Sequence, residues 1–390
     1  MIAERVRVGD VLRLDRRPME PDPTQEYTTI GIRSFGKGIF HYESSLGAQL
    51  GKLRFFELQP DCLVISNIKG WEGAIAVSTK LEAGCLASSR FLTYVPIDSR
   101  IDVRWARWFF LSEEGIEQIQ RASPGSADRN RTLAIERFEA LEIPLPPIDE
   151  QRRVARQLDA AAEAAKVIAN LTRRAKDLSE ALVVSLATRP DFKEGEKRRR
   201  GWRFVRFGEI AVLNKDEVPV DANASYDIAG VYSFGRGLLR RGPIEGSQTS
   251  YRTLHRLHAG QVVMSRLKAW EGAITVVPKS FGGWFVSPEF PTFNVDQTTV
   301  RPRFLEAVLT GESFWNGLKG ASHGIGARRE RVGADRLLEQ QLWLPPVGYQ
   351  EHAIVRFEAL DACRVQRGRS ATRAAALGPA SLNEAFSGLT

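Results

Sequence analysis

The sequence predicts an α+β chain written twice: two repeated globular domains separated by two long antiparallel helices, coiled-coil-like, about an internal pseudo-twofold. Three observations predict it. Short motifs recur at one offset of 199 residues: Ser34-Phe35-Gly36-Lys37-Gly38 as Ser233-Phe234-Gly235-Arg236-Gly237, Trp71-Glu72-Gly73-Ala74-Ile75 as Trp270-Glu271-Gly272-Ala273-Ile274, and Leu145-Pro146-Pro147 as Leu344-Pro345-Pro346. The pairs Tyr27/Tyr226, Ser66/Ser265, Lys69/Lys268, Ser88/Ser287, Phe91/Phe290 and Gln151/Gln350 keep that register without a gap. A single offset held across most of a chain marks an internal duplication. Each copy also changes composition midway, from a part rich in Gly, aromatics and β-branched residues to a polar-apolar helical part. Finally, Asp149 to Thr188 contains neither Gly nor Pro.

Within residues 1–148, Val64-Ile65-Ser66 and Ala74-Ile75-Ala76-Val77 read as short strands flanking the turn Lys69-Gly70-Trp71-Glu72-Gly73. Within 202–347 the same pattern is Val262-Val263-Met264 and Ala273 to Val277. A helix is expected at Val103 to Ile119, and again at Arg303 to Leu318.

Residues 149–190 form the first spacer helix. Asp149 and Glu150 suit a helix N-terminus. Val154, Leu158, Ala161, Ala165, Ile168, Leu171, Ala175, Leu178, Leu182 and Leu186 are spaced mostly 3 and 4 apart, a narrow apolar seam. At ~1.5 Å per residue such a helix reaches ~60 Å, long enough to act as a spacer. Residues 191–201, with Lys197-Arg198-Arg199-Arg200, read as a solvated linker. The second helix, 348–390, is the poorer one, because Gly368 and Gly378-Pro379 interrupt it. Its Ile354, Phe357, Leu360, Leu377, Leu382 and Phe386 can still pack antiparallel on the first.

With 390 residues, 43% of them apolar and 26% charged, the chain is neither disordered nor low in complexity. Its longest largely apolar stretches, Trp105 to Leu111 (broken by Arg107) and Ala181 to Ala187 (broken by Ser185), fall short of the ~20 residues of a membrane span. The first ten residues alternate charge with aliphatics, unlike a signal peptide. Cys62, Cys85 and Cys363 form no framework and no CxxC. The expectation is a cytoplasmic chain with no membrane association. The net charge of +8 is compatible with a polyanionic partner and decides nothing alone.

The sequence carries no Walker loop, no Gly-x-Gly-x-x-Gly at a strand-to-helix turn, and no Asn/Asp-Pro-Pro-Tyr/Phe motif. His255 and His258 have metal-ligand spacing without further ligands, and their counterparts are Phe56 and Gln59. Pro60-Asp61 with Asn67-Ile68-Lys69 lacks the second carboxylate that a Mg²⁺-dependent nuclease needs. Glu72 and Glu271 each stand alone in a turn, as turn residues do. No catalytic residue and no metal site are expected.

Basic and aromatic residues do cluster in matching loops. Arg33 and Lys37 flank Phe35 as Tyr232 and Arg236 flank Phe234, and further cations are Lys69, Arg90, Arg129 and Arg131 in one copy, Arg266, Lys268, Arg328 and Arg329 in the other. Such side chains hold phosphates or read base edges. The copies agree at Gly36, Trp71 and Gly73 but differ beside them: Arg33 against Tyr232, His41-Tyr42 against Arg240-Arg241, Asn67 against Arg266, Arg90 against Glu289. A shared frame with altered polar tips suits two readers of different sequences.

Leu145-Pro146-Pro147-Ile148-Asp149-Glu150-Gln151 opening a long helix after a globular domain resembles the specificity subunit of type I restriction-modification systems. The ending Ala385-Phe386-Ser387-Gly388 and the Lys69-Gly70-Trp71-Glu72-Gly73-Ala74 pattern, with Ser88 and Phe91, are similar to that family too. Tyr349, where the second copy should carry Glu, departs from it. The resemblance implies a non-catalytic DNA reader with two target-recognition domains for a bipartite double-stranded target. It further implies docking of adenine methyltransferase subunits, which carry S-adenosylmethionine while this chain holds no cofactor, and of a motor-nuclease subunit. Val154, Leu158, Ile168, Leu178, Ile354 and Phe357 are the docking residues it suggests. Two other readings stay open: a stand-alone duplicated-domain nuclease or modification enzyme, and a protein-binding scaffold.

Overall fold

The computed structural model describes residues 3–51, 53–125, 131–214, 216–319 and 331–387. The chain divides into two compact units, Met1–Leu171 with Arg369–Thr390, and Thr172–Gly368. Each unit thus takes one globular domain, the start of the helix that follows it, and the far end of the other copy's helix.

In the first unit a four-stranded antiparallel sheet runs in the order Ile75–Val77, Leu63–Ser66, Phe91–Pro96, Leu12–Leu14. Alternation along Leu63–Ser66 buries both faces: Leu63 and Ile65 enter the main core, whereas Val64 enters a smaller one with Ile30, Leu58 and Cys62. That is why the strand reads as a continuous apolar run rather than an alternating one. The second unit repeats the plan with Ala211–Leu213, Thr292–Val295, Val262–Met264 and Ile274–Val276. There Val262 and Met264 face one core and Val263 the other. The pairing of Ile75 with Ile65 recurs as Ile274 with Met264, both partners displaced by 199 residues.

The helix expected from Val103 to Ile119 is two helices, Val103–Leu111 and Glu113–Ala122. Ser112 makes the corner: its hydroxyl donates to the Phe109 carbonyl (2.6 Å) and accepts from the Gly115 amide (3.2 Å). A Cβ on Gly115 would lie 2.0 Å from the Phe109 oxygen, so only glycine allows the second helix this approach. Its second-copy equivalent likewise breaks, into Pro302–Leu309 and Glu312–Asn316.

The long helices are Ile148–Thr188 and Val347–Ser387. In the first unit Val154, Ala155 and Leu158 from the start of one, and Phe386 from the end of the other, complete the core around Trp105 and Phe109. In the second unit Ala353 and Phe357 play the first part and Ala187 the second, around Phe304 and Val308. The large ring changes helix between the units. Phe386 packs 5.7 Å from both Trp105 and Phe109, whereas in the second unit Phe357 stacks on Phe304 at 6.3 Å and the position equivalent to Phe386 is Ala187. Each site thus takes one ring, from a different helix in each unit: Phe386 with Leu158 in the first, Phe357 with Ala187 in the second. Tyr349 donates to Leu186 O at 2.9 Å and Arg364 lies 3.8 Å from Glu180, so these segments run antiparallel.

Three sequence expectations need correction. The second helix is not interrupted: Val347–Ser387 runs through Gly368, Gly378 and Pro379. Packing of Leu382, Ala385 and Phe386 on the first domain outweighs the ~1 kcal/mol that each helical glycine costs and the ~3 kcal/mol of the proline. The 191–201 segment is not simply a solvated linker. It contains the helix Glu194–Arg199, and the buried Lys197 donates its ammonium to the Thr188 carbonyl at 2.8 Å. Together with the Tyr349 hydroxyl it satisfies carbonyls that the end of the first long helix leaves without intrahelical partners. Tyr349, the departure from the motif, therefore has a structural role. Lastly, Val154, Leu158 and Phe357 are core residues of their own units and Ile354 packs half-buried against one, so none offers a docking surface. Ile168 and Leu178 do remain exposed, at 37% and 69%, on a helix that also exposes Val167, Leu171 and Leu182.

Candidate nucleic-acid interface

Each domain presents the same loop platform. Lys69-Gly70-Trp71-Glu72-Gly73 forms one tight helical turn, Gly70–Glu72, closed by Gly73 at φ 76°. Its free backbone edge clasps the Ser34–Gly38 loop: Phe35 N–H donates to Glu72 O (2.9 Å) and Gly36 N–H to Gly73 O (2.9 Å). The Glu72 carboxylate adds two further ties, accepting from Ser34 Oγ (2.9 Å) and Lys69 Nζ (2.6 Å). Trp71 donates its indole N–H to Ile68 O at 3.1 Å.

The second domain repeats every one of these bonds: Phe234 to Glu271 O (2.7 Å), Gly235 to Gly272 O (3.0 Å), Ser233 Oγ to Glu271 (3.2 Å), Lys268 to Glu271 (2.8 Å) and Trp270 to Leu267 O (3.2 Å). The clasp holds a strained tip. Phe35 and Phe234 sit at φ 61° and 62°, where a bulky side chain costs roughly 1–3 kcal/mol. Both rings point outward, 75% and 62% exposed, so burial does not offset that strain.

The predicted cations gather around this platform. Lys69 and Arg131 lie over the Trp71 ring at 5.2 and 5.1 Å, Lys37 over Phe35 at 5.7 Å, and Arg33 over Phe40 at 4.9 Å. Backbone bonds from Asn67 N–H to Arg90 O (2.8 Å) and from Leu133 N–H to Asn67 O (2.7 Å) bring the Arg90 turn and the Arg131 segment to the same edge. In the second domain Arg236 covers Tyr232 at 4.8 Å, while Arg266 N–H bonds Glu289 O (3.0 Å) and Val332 N–H bonds Arg266 O (2.8 Å). Arg129, Arg328 and Arg329 lie outside the described residues. Their neighbour Arg331 forms an ion pair with Glu289 at 3.2 Å.

Asn67 Oδ1 and Arg266 Nε, at equivalent places, are buried polar atoms with no hydrogen-bond partner among the described residues.

Charge on the platform is partly neutralised from within. The Lys69 hydrogen bond, helped by that of Ser34, holds the Glu72 carboxyl below its ordinary range against the opposing effect of burial. Sequence reasoning missed Ser34 and Ser233, although their shared register was visible. It also missed Arg107, whose guanidinium donates to Gly36 O at 3.1 Å and lies 4.1 Å over Trp108. Burial lowers the Arg107 pKa. The second domain has Glu306 at that place and instead ties its loop with Arg236 Nε donating to Ser233 O (3.0 Å).

Among the described residues no group of three or more His, Cys, Asp or Glu is placed to hold a metal ion. His255 and His258 face Glu217 (3.8 Å) and Asp216 (2.8 Å) singly. No helix among them is long and apolar enough to cross a membrane.

The chain shares its fold with solved S subunits of type I restriction-modification systems. The chain is similar to the HsdS subunit from Thermoanaerobacter tengcongensis, with a TM-score of 0.57 and 17% identity over 99% of this chain and 97% of that one. A second similar chain comes from a structure of complex assembly and conformational transition of the type I restriction-modification system, with a TM-score of 0.67 and 15% identity over 99% and 98%. No protein-family model and no curated protein matches the sequence.

Proposed function

We propose that this chain is the non-catalytic, sequence-specific DNA-binding subunit of a type I restriction-modification complex. The observation that carries the reading is the loop platform made twice, bond for bond, with cations around it and different polar residues at its edge. Each domain reads one block of a bipartite duplex, and the long helices set the distance between blocks. Two modest binders held at a fixed spacing gain affinity through effective concentration, and spacing itself becomes part of specificity. Exposed apolar residues of each unit, Val167, Ile168 and Leu171 in the first and Leu178 and Leu182 in the second, dock adenine methyltransferase subunits, which bring S-adenosylmethionine, and a motor-nuclease subunit joins the same cytoplasmic assembly. Methylating an adenine within a duplex requires the partner to flip it, so this chain clamps the flanking DNA.

The test is methyl transfer to duplex DNA by the full chain alone and by the chain assembled with an adenine methyltransferase. The assembly methylates a motif of two specified blocks and binds DNA less tightly as salt rises; the chain alone transfers nothing. Methyl transfer or cleavage by the purified chain overturns the reading.

A further inference from the structure

The proposed DNA-binding role leaves one feature of both platforms unused, an exposed phenylalanine in a left-handed backbone conformation. A glycine would occupy φ near +60° without cost, and Gly36 and Gly235, the very next residues, do so. Phenylalanine is nevertheless present at Phe35 and Phe234, on backbone pinned by two hydrogen bonds from the neighbouring turn. Folding gives little in return: Phe234 meets the Trp315 ring edge-on at 6.4 Å, and both phenylalanines stay mostly in solvent. Cations stand beside each ring: Lys37 at 5.7 Å from the Phe35 centroid, Arg236 at 5.9 Å from that of Phe234. An exposed apolar ring with a cation beside it matches a duplex, whose base steps are flat and apolar and whose flanks are phosphates.

The difference between copies separates this ring from the residues that read sequence. Around it Arg33 becomes Tyr232, Asn67 becomes Arg266 and Arg90 becomes Glu289, whereas the phenylalanine is unchanged. Side chains that specify different bases have to differ between two domains reading different blocks. One that is identical in residue, φ and clasp does the same thing at both blocks.

We infer that Phe35 and Phe234 are sequence-independent wedges, each packing its ring against a base step of the duplex beside the block its domain reads. They position the domain on the DNA and contribute affinity without contributing to the choice of bases. The inference rests on the DNA-reading role above.

Phe35→Gly and Phe234→Gly test it without endangering the fold, because glycine relieves the left-handed backbone. The full chain assembled with its methyltransferase is compared for thermal stability, assembly, affinity for target and scrambled duplexes, and methylated motif. Stability and assembly stay at or above those of the unsubstituted complex. Each substitution weakens binding to both duplexes by about tenfold or more, the scale of one aromatic-base stack. The ratio of the two affinities and the methylated motif do not change, and Phe35→Trp retains binding. Unchanged affinity overturns the inference; so does a changed motif, which would make the ring a base reader. Loss of methyltransferase assembly with the fold intact would make this face a protein interface instead. If the unsubstituted complex bound no DNA at all, the DNA-reading role would fall first, and that outcome is visible in the same experiment.

Discussion

Glu72 shows how much one carboxylate organises. It ties Ser34 of one loop to Lys69 of another, and its pKa is held down chiefly by that lysine. A carboxyl with a depressed folded pKa stabilises the fold above its unfolded pKa, and the contribution is lost as pH falls through the folded value. Acidification below the ordinary glutamate range therefore loosens the Ser34–Gly38 loop, whereas the neutral range leaves it closed. Hydrogen exchange of the loop amides should show this in the wild type. In Glu72→Gln protection is already reduced at neutral pH and changes little on acidification; a variant that kept the wild-type acid response would show that another group closes the loop. Sequence alone presented Glu72 as a turn residue and Lys69 as a DNA contact. Their pairing was illegible because a local i, i+3 spacing does not reveal which ammonium a carboxylate takes in three dimensions.

At the scale of elements, the Leu-Pro-Pro motif acquires a reason in the fourth residue after its second proline. Gln151 is fully buried. Its Oε1 accepts from the Asp102 amide (2.9 Å), and its amide group donates to the carbonyls of Arg100 (2.8 Å) and Pro146 (2.7 Å). Gln350 does the same for Arg301 (2.8 Å), Thr299 (3.0 Å) and Pro345 (3.0 Å). Each glutamine fastens the start of a long helix to the loop before a domain helix. Gln151→Ala strands three buried backbone groups and should cost about 2–4 kcal/mol, read as a lower denaturant midpoint for the first unit. A loss under ~0.5 kcal/mol would mean the bonds are replaced by water. The motif was legible as a register mark; its mechanism was not, since Asp102 lies 49 residues away. The second helix was misjudged from Gly368 and Gly378-Pro379 because propensity is local, while the packing that overrides it comes from Trp105 and Phe109, far off in sequence.

Duplication was the most legible property of the whole molecule, because motif, strand register and clasp all repeat at one offset. What the repeat could not disclose is that each unit is finished by the other copy's helix, with Phe386 in one and Ala187 in the other. The exchange also removed Val154, Leu158 and Phe357 from the docking surface, since apolar spacing marks a buried seam without saying what buries it. Under the proposed DNA-reading role, two domains on one frame with different polar edges make recognition divisible. The measurement that tests this most directly is the methylation pattern of a chimera in which residues 1–148 are replaced by the corresponding domain of a subunit with another target. Sequencing of methylated sites should show one block of the motif changed, with the other block and the spacing kept. A motif altered in both blocks would contradict the account.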